Sequence, residues 1–252
     1  MMASNPDAHI SHYLLTVKSL PVSQVWLSRF LSSQRSIPVS LPALTQTALF
    51  RLLASDFTTS LAPAPSNLLP TSVSDPNTRE TKIPGPIPLQ VLDIEDIGSS
   101  LWTQIEAIER VERGETTRGR EIIRTVMRDE GGDSTVGNNP NSGNMSSNSA
   151  VLQGNNNTSP KSGQHRLVLE DPRGTKVVAI ELSPVESVGI GKMPIGAKLL
   201  IKNATVARGM LLLEPSCVTV LGGKIEDADT AWNAGRKDRL LAKVQQLQPE
   251  QT

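Results

Sequence analysis

The stretch Pro194 to Gly223, PIGAKLLIKNATVARGMLLLEPSCVTVLGG, constrains the fold more than any other part of the chain. Two apolar runs, Leu199 to Ile201 and Met210 to Leu213, precede a third strand-like segment at Val218 to Leu221. Turn formers separate them: Pro194 and Gly196 before the first, Asn203 and Arg208-Gly209 between, Glu214-Pro215-Ser216 after. Runs this short, bounded by Gly, Pro and Asn, read as strands rather than as a buried helix. The stretch holds no nucleophile pair, metal cluster or phosphate cradle. It predicts a small β-barrel-like core.

Other segments supply the missing strands. IPLQVLDIED, Ile87 to Asp96, carries apolar residues on both faces and so predicts a strand buried on more than one side. RLVLEDPRGTKVVAIEL predicts two strands joined by a turn at Asp171-Pro172-Arg173-Gly174. Strand candidates therefore begin at Ile87, His165, Lys176, Ala197 and Met210, the last continuing past Pro215 to Leu221. Five strands with short hairpins and one longer connection between the third and fourth form the pattern of an OB-fold.

Residues 97–164 interrupt that barrel between its first two strands. Ser99-Ser100 can cap a helix presenting Leu101, Ile105, Ile108 and Val111. Beyond Arg110 the charges alternate in sign, as on a solvated helix or loop. About 131–164 the composition is Gly, Asn, Ser and Thr, too polar to bury a core, and disorder is expected.

The N-terminal part reads as helical. One helix carries Ile10, Tyr13 or Leu14, and Val17; a second opens at Pro21; a third begins near Ser40 and runs through Leu44, Ala48, Leu49, Leu52 and Leu53. Trp26, Phe30 and Phe50 are expected in the core of this three-helix region. Ala62 to Pro88 is rich in Pro, Ser, Thr and Asn and reads as an extended linker. Ile225 to Leu247 predicts one closing helix. The expected fold class is α+β: a helical region at 1–61, a linker at 62–86, an OB-fold at 87–223 and a C-terminal helix and tail at 224–252.

Lys plus Arg and Asp plus Glu both total 25, for a formal net charge of zero. That balance weakens any reading in which the chain binds nucleic acid mainly by neutralising phosphates. Trp102 is the single aromatic residue between Pro84 and Gly223, so the barrel strands offer no stacking platform. Lys198, Lys202 and Arg208 could still form a local basic strip touching nucleic acid, with Lys198 and Lys202 on one strand face. Cys217, the one cysteine, excludes an internal disulfide and fits a reducing compartment. No signal peptide or membrane-length apolar run is evident, so a soluble intracellular protein is expected. Gly189 to Pro194 lacks the last glycine of a dinucleotide-binding turn. His9 and His12 have no accompanying metal ligands. Catalytic residues, metals and cofactors are therefore expected to be absent.

In combination, several segments resemble the RecQ-mediated genome instability protein 1 family. They are PVSQVWLSRFLSS, LFRLLASDF followed by LLP, LQVLDIEDIGSSLWTQIEAIERV, and above all PIGAKLLIKNATVARGMLLLEPSCVTVLGGKIE. The resemblance implies a helical region beside an OB-fold with a long insertion between strands one and two. It further implies a non-enzymatic nuclear adaptor that binds topoisomerase III and a RecQ-family helicase and meets DNA mainly through that complex. The work of such a complex is genome stability: DNA repair and the dissolution of double Holliday junctions. Ending at Thr252, the chain is similar to short fungal forms, with no second OB-fold for a further OB subunit. Under this reading Trp102, Ile105, Ile108 and Arg110 of the insertion, and Lys198 on the barrel, are the candidate topoisomerase-binding residues. The competing expectation is an OB-fold protein that binds single-stranded DNA directly.

Overall fold

The computed structural model describes residues 6–34, 40–117, 120–121 and 164–247. The chain divides into two units, Met1–Ile105 with Ser162–Thr252, and Glu106–Lys161.

The first unit opens with helices α1 (Pro6–Lys18), α2 (Gln24–Gln34), α3 (Leu41–Leu53) and the short α4 (Phe57–Ser60). Asp56 caps α4 by accepting from the Thr58 amide at 2.8 Å. Ile10, Leu14, Leu27, Phe30, Ala48, Leu52 and Phe57 form the buried centre of this region. Two of the three aromatics expected there behave as expected: Phe30 is buried and stacks on half-buried Trp26, with ring centroids 5.6 Å apart. Phe50 does not; it is 75% exposed. Ala48 and Leu52 hold the buried stripe of α3, and Phe50, two residues from each, points the other way because a helix turns 100° per residue. Phe57 takes the core place instead.

The segment expected to be a linker is packed. Leu68, Leu69 and Val73 are buried, and β1 (Thr81–Ile83) joins the sheet as its edge strand. Its Pro-rich composition excludes helix but does not prevent docking: Leu69 N–H donates to the buried Asp171 carboxylate at 3.0 Å.

All five expected strands are present, two of them split in two, in a sheet of eight that β1 completes. β2 (Ile87–Asp96), β5 (His165–Glu170), β6 (Lys176–Glu181), β7 (Lys198–Ile201), β8 (Ala204–Ala207), β9 (Met210–Leu213) and β10 (Val218–Gly222) join β1 in the order β1-β8-β9-β6-β5-β2-β7-β10. β7 and β8 are one strand bent at Lys202-Asn203, where Asn203 has a φ of 54°. β6 pairs β9 in parallel, which is why a long connection separates them. β2 is long enough to pair β7 through Ile87–Gln90 and β5 through Gln90–Asp96, with a bulge between Val91 and Asp93. This is the curled, mixed OB-type sheet that the strand spacing predicts. Leu89, Val91, Leu167, Leu169, Leu199, Leu211 and Leu213 are fully enclosed within it. Alternate burial along β5 and β6 follows the two-residue period of their sequences.

The closing helix is two helices. α6 (Glu226–Ala234) and α7 (Arg236–Leu247) break at Gly235, the weakest helix former in the segment. α5 (Leu101–Glu112) begins in the first unit at the predicted Ser100 cap, whose hydroxyl accepts from the Thr103 amide at 3.1 Å. In the second unit, the two-residue strands β3 (Thr116–Thr117) and β4 (Arg120–Glu121) pair with each other. The expectation of disorder at 131–164 lies outside the described residues, except Gln164.

Candidate functional site

The insertion leaves and re-enters the barrel through a braced root. Asp96 and His165 are the last pair of the β2–β5 ladder, and Ile97 N–H donates to the Gln164 carbonyl at 2.9 Å just beyond it. Asp96 then organises the exit. Its Oδ1 accepts from Gly98 N at 2.8 Å and Ser99 N at 3.1 Å, and its Oδ2 accepts from the Ser99 hydroxyl at 2.7 Å. Gln104 Nε2 ties the first turn of α5 to the Asp96 and Ser99 carbonyls, at 3.0 and 3.1 Å. On the return side, the buried Glu181 carboxylate accepts from the His165 amide at 2.8 Å and the Val185 amide at 2.9 Å, and meets His165 Nδ1 at 2.7 Å.

The C-terminal helices lean on this root. Trp232 Nε1 donates to Asp93 Oδ1 at 2.6 Å, Arg236 donates to Gln104 Oε1 at 3.4 Å, and Lys243 pairs with Glu95, which also faces Arg166 at 3.5 Å. Arg239 lies over the Trp232 ring, 5.1 Å from its centroid. Between root and helices runs a groove of about 750 Å³ whose lining includes Ile97, Leu101, Ile190, Trp232, Leu240 and Leu247. Ile97 is 47% exposed, Trp102 59% and Leu247 72%. Ile97 and Leu247 both line the groove, and large apolar side chains left in water at one place are the usual mark of an interaction surface.

The candidate insertion residues divide accordingly. Trp102 is exposed on α5, in the first unit. Ile105, in the same unit, is 3% exposed; it seats the helix and cannot be a surface anchor, a correction to its expected place. Ile108 and Arg110 belong to the second unit, where Ile108 is half-buried and Arg110 pairs with Glu106 at 2.8 Å, one turn away.

Lys198 also needs correction. Expected on the barrel surface, it is fully buried at the seam between helices and sheet. Its Nζ donates to Gln90 Oε1 at 3.2 Å and lies 4.8 Å from the Phe57 ring centroid. Gln90 completes the seam: Oε1 also accepts from Phe57 N at 3.1 Å, while Nε2 donates to Asp56 at 3.0 Å and Glu170 at 2.9 Å. Burial pushes the Lys198 ammonium down to about 8, partly offset by the charge of Asp56. Burial raises the Asp56 carboxyl, but hydrogen bonds from Thr58 and Gln90 and the Lys198 charge outweigh it and hold the group below the usual carboxylate range. Lys198 and Lys202 therefore do not share an exposed face. Lys202 and Arg208 are exposed, at opposite ends of β8. Among the described residues no cluster of His, Cys, Asp and Glu could hold a metal.

Sequence reasoning missed Asp96, Gln104, Gln90 and Trp232. Asp96 with Ser99 forms a local turn signal, and Trp232 stands out in an aromatic-poor half of the chain. Gln90 gave no signal, because its partners are distant in sequence.

Two family models match the chain: the RMI1 N-terminal OB-fold domain over residues 69–236, and the RMI1 N-terminal helical domain over residues 14–60. The chain is also similar to RecQ-mediated genome instability protein 1 of Schizosaccharomyces pombe, 35% identical over 141 residues. That alignment covers 56% of this chain and 57% of the relative, so the chain spans a little over half the length of the curated protein it matches. With a helical region and an OB-type sheet in the order of the two domain models, which together match well over half of its residues, the chain belongs to the RMI1 family.

Proposed function

We propose that this chain is a non-enzymatic adaptor of a RecQ helicase–topoisomerase III assembly, holding its insertion against the topoisomerase and tuning the DNA gate. The observation that carries this reading is the braced root. Both ends of 97–164 are locked into one rigid corner, with exposed Ile97 and Trp102 beside it. An insertion so mounted can bias a gate only through contacts that differ between its open and closed states. The relative's printed name, RecQ-mediated genome instability protein 1, supports a genome-stability role in the RecQ pathway; the nucleus, DNA repair and double Holliday junction dissolution are the setting proposed for it.

The test replaces residues 98–163 by Asn-Gly, a two-residue turn suited to joining the paired ends of β2 and β5. The shortened chain, which lacks Trp102, should fold but should co-purify with topoisomerase III about tenfold or more less well than the intact chain, and should fail to stimulate decatenation. Equal stimulation by both forms would remove the gate mechanism, and failure of the intact chain to co-purify would remove the partner.

A further inference from the structure

The balanced charge of the chain is not evenly spread. Around the insertion root, carboxylates and cations pair: Glu95 with Lys243 and Arg166, and Lys224 with Glu226 and Asp229. The other end of the barrel is different. Arg79, Arg173, Lys176 and Arg208 are all exposed there, and none of them forms an ion pair among the described residues.

The topology brings these four together. Lys176 opens β6 opposite Glu170, and Arg173 stands in the hairpin between them. Met210, next to the Arg208-Gly209 turn, pairs with Val178 two residues along from Lys176. Residues 74–79 run across both: the Ser74 hydroxyl donates to the Lys176 carbonyl at 3.2 Å, and Arg208 N–H donates to the Thr78 carbonyl at 3.0 Å. The approach is close enough that a Cβ on Gly209 would lie 2.8 Å from the Ser74 carbonyl oxygen. Arg79 directly follows Thr78, and Lys82 on β1 extends the row along the sheet edge.

Four carboxylates, Asp75, Glu80, Glu170 and Asp171, stand among these cations and keep their charge, but three of them accept hydrogen bonds from neighbouring groups of the protein. Asp171 is buried and accepts from the Leu69, Arg173 and Thr175 amides at 2.8 to 3.0 Å. Glu170 accepts from Gln90, and Asp75 from Asn77 and Thr78. Glu80 is the exposed carboxylate that remains. The cations have fewer internal partners: Arg208 Nη1 reaches the Pro76 carbonyl at 3.5 Å, and Arg79, Arg173 and Lys176 are free in the described residues.

We infer that this rim, Arg79, Arg173, Lys176 and Arg208 with Lys82, is a docking surface for the phosphate backbone of duplex DNA. Two observations favour that occupant over an acidic protein. A protein interface concentrates its energy in buried aromatic or apolar anchors, and the rim offers only half-exposed Met210. It also carries no aromatic ring, so a single strand could not stack its bases there; charge alone is on offer, and a duplex presents phosphates most densely. The rim lies at the opposite end of β5 from His165, about 17 Å from the root at strand spacing. The fold thus separates a DNA-facing end from an insertion-bearing end. This goes beyond the adaptor reading and is testable without any topoisomerase.

The experiment measures binding of the full chain to a labelled 20-base-pair duplex between 50 and 200 mM salt. With four phosphates neutralised, affinity should fall about 150-fold over that range, a log–log slope of about −3.6. The triple variant Arg79→Gln, Arg173→Gln, Lys176→Gln should flatten the slope by about 2.7. Arg29→Gln, exposed on α2, should leave it unchanged. A 20-nucleotide single strand should bind more weakly than the duplex. The inference is overturned by an unaltered slope in the triple variant, by no duplex binding at 50 mM salt, or by tighter binding of the single strand. Tighter, rim-dependent binding of a polyglutamate peptide would overturn it in favour of an acidic protein partner.

Discussion

Lys198 shows how one residue changes meaning between chain and fold. In sequence it opens a strand among other basic residues; in the folded protein its ammonium lies under Phe57, held by Gln90. A buried cation is costly unless its donors are satisfied, and loss of a partner costs more than replacing the cation outright. Gln90→Leu, which leaves Lys198, the Phe57 amide and Glu170 without that partner, should therefore destabilise the protein by about 3 kcal/mol or more in denaturant titration. Lys198→Met should change stability by less than about 1 kcal/mol. The pH dependence has a definite sign. Because the ammonium is held at about 8 when folded, against an ordinary value of 10.5, the unfolded chain binds more protons between those limits. This site makes stability rise with pH from 8 to 10.5, with a limiting slope of about 1.4 kcal/mol per pH unit. Lys198→Met should lack that component when both proteins are titrated side by side.

At the scale of elements, the turn from β2 into α5 combines local chemistry with remote support. The helix start was legible from Ser99-Ser100 and the spacing of Leu101 and Ile105, since capping and periodicity are local. Asp96→Ala removes the acceptor for Gly98 N, Ser99 N and the Ser99 hydroxyl, and should cost about 1–2 kcal/mol. Hydrogen exchange at the Gly98 and Ser99 amides should accelerate in that variant. Trp102→Ala should leave stability within about 0.5 kcal/mol, as expected for an exposed side chain. It should weaken co-purification with topoisomerase III about tenfold or more if Trp102 is an anchor. The element boundaries that misled are those set by tertiary packing. Residues 62–86 have linker composition yet bury Leu68, Leu69 and Val73. Phe50 sits on a helix whose apolar residues outnumber the places its neighbours provide, and Phe57 fills the core instead.

Across the whole molecule, the helices and the sheet meet tightly. Leu221 packs against the helical core and Val220 against the barrel core, and between them and α6 lies Gly223, with a φ of 87°. A Cβ there would stand 2.3 Å from the Leu53 carbonyl oxygen. Gly223→Ala meets both an unfavourable backbone region and a backbone clash, and should cost about 2 kcal/mol or more, seen as a lowered Tm. The sequence by itself determined the helical start, five of the strand-forming stretches of the sheet, the hairpin at Asp171–Gly174 and the place of the insertion. Those depend on two- and four-residue periodicity and on the φ preferences of Gly, Pro and Asn, all of which act between near neighbours. Only the tertiary structure decided that Lys198 is enclosed while Lys202 is exposed, that the apparent linker is packed, and that Arg79, Arg173, Lys176 and Arg208, without ion pairs among the described residues, come together at one rim. Those depend on which residues, often a hundred positions apart, the strand pairings bring side by side; strand order and spacing do not specify those neighbours.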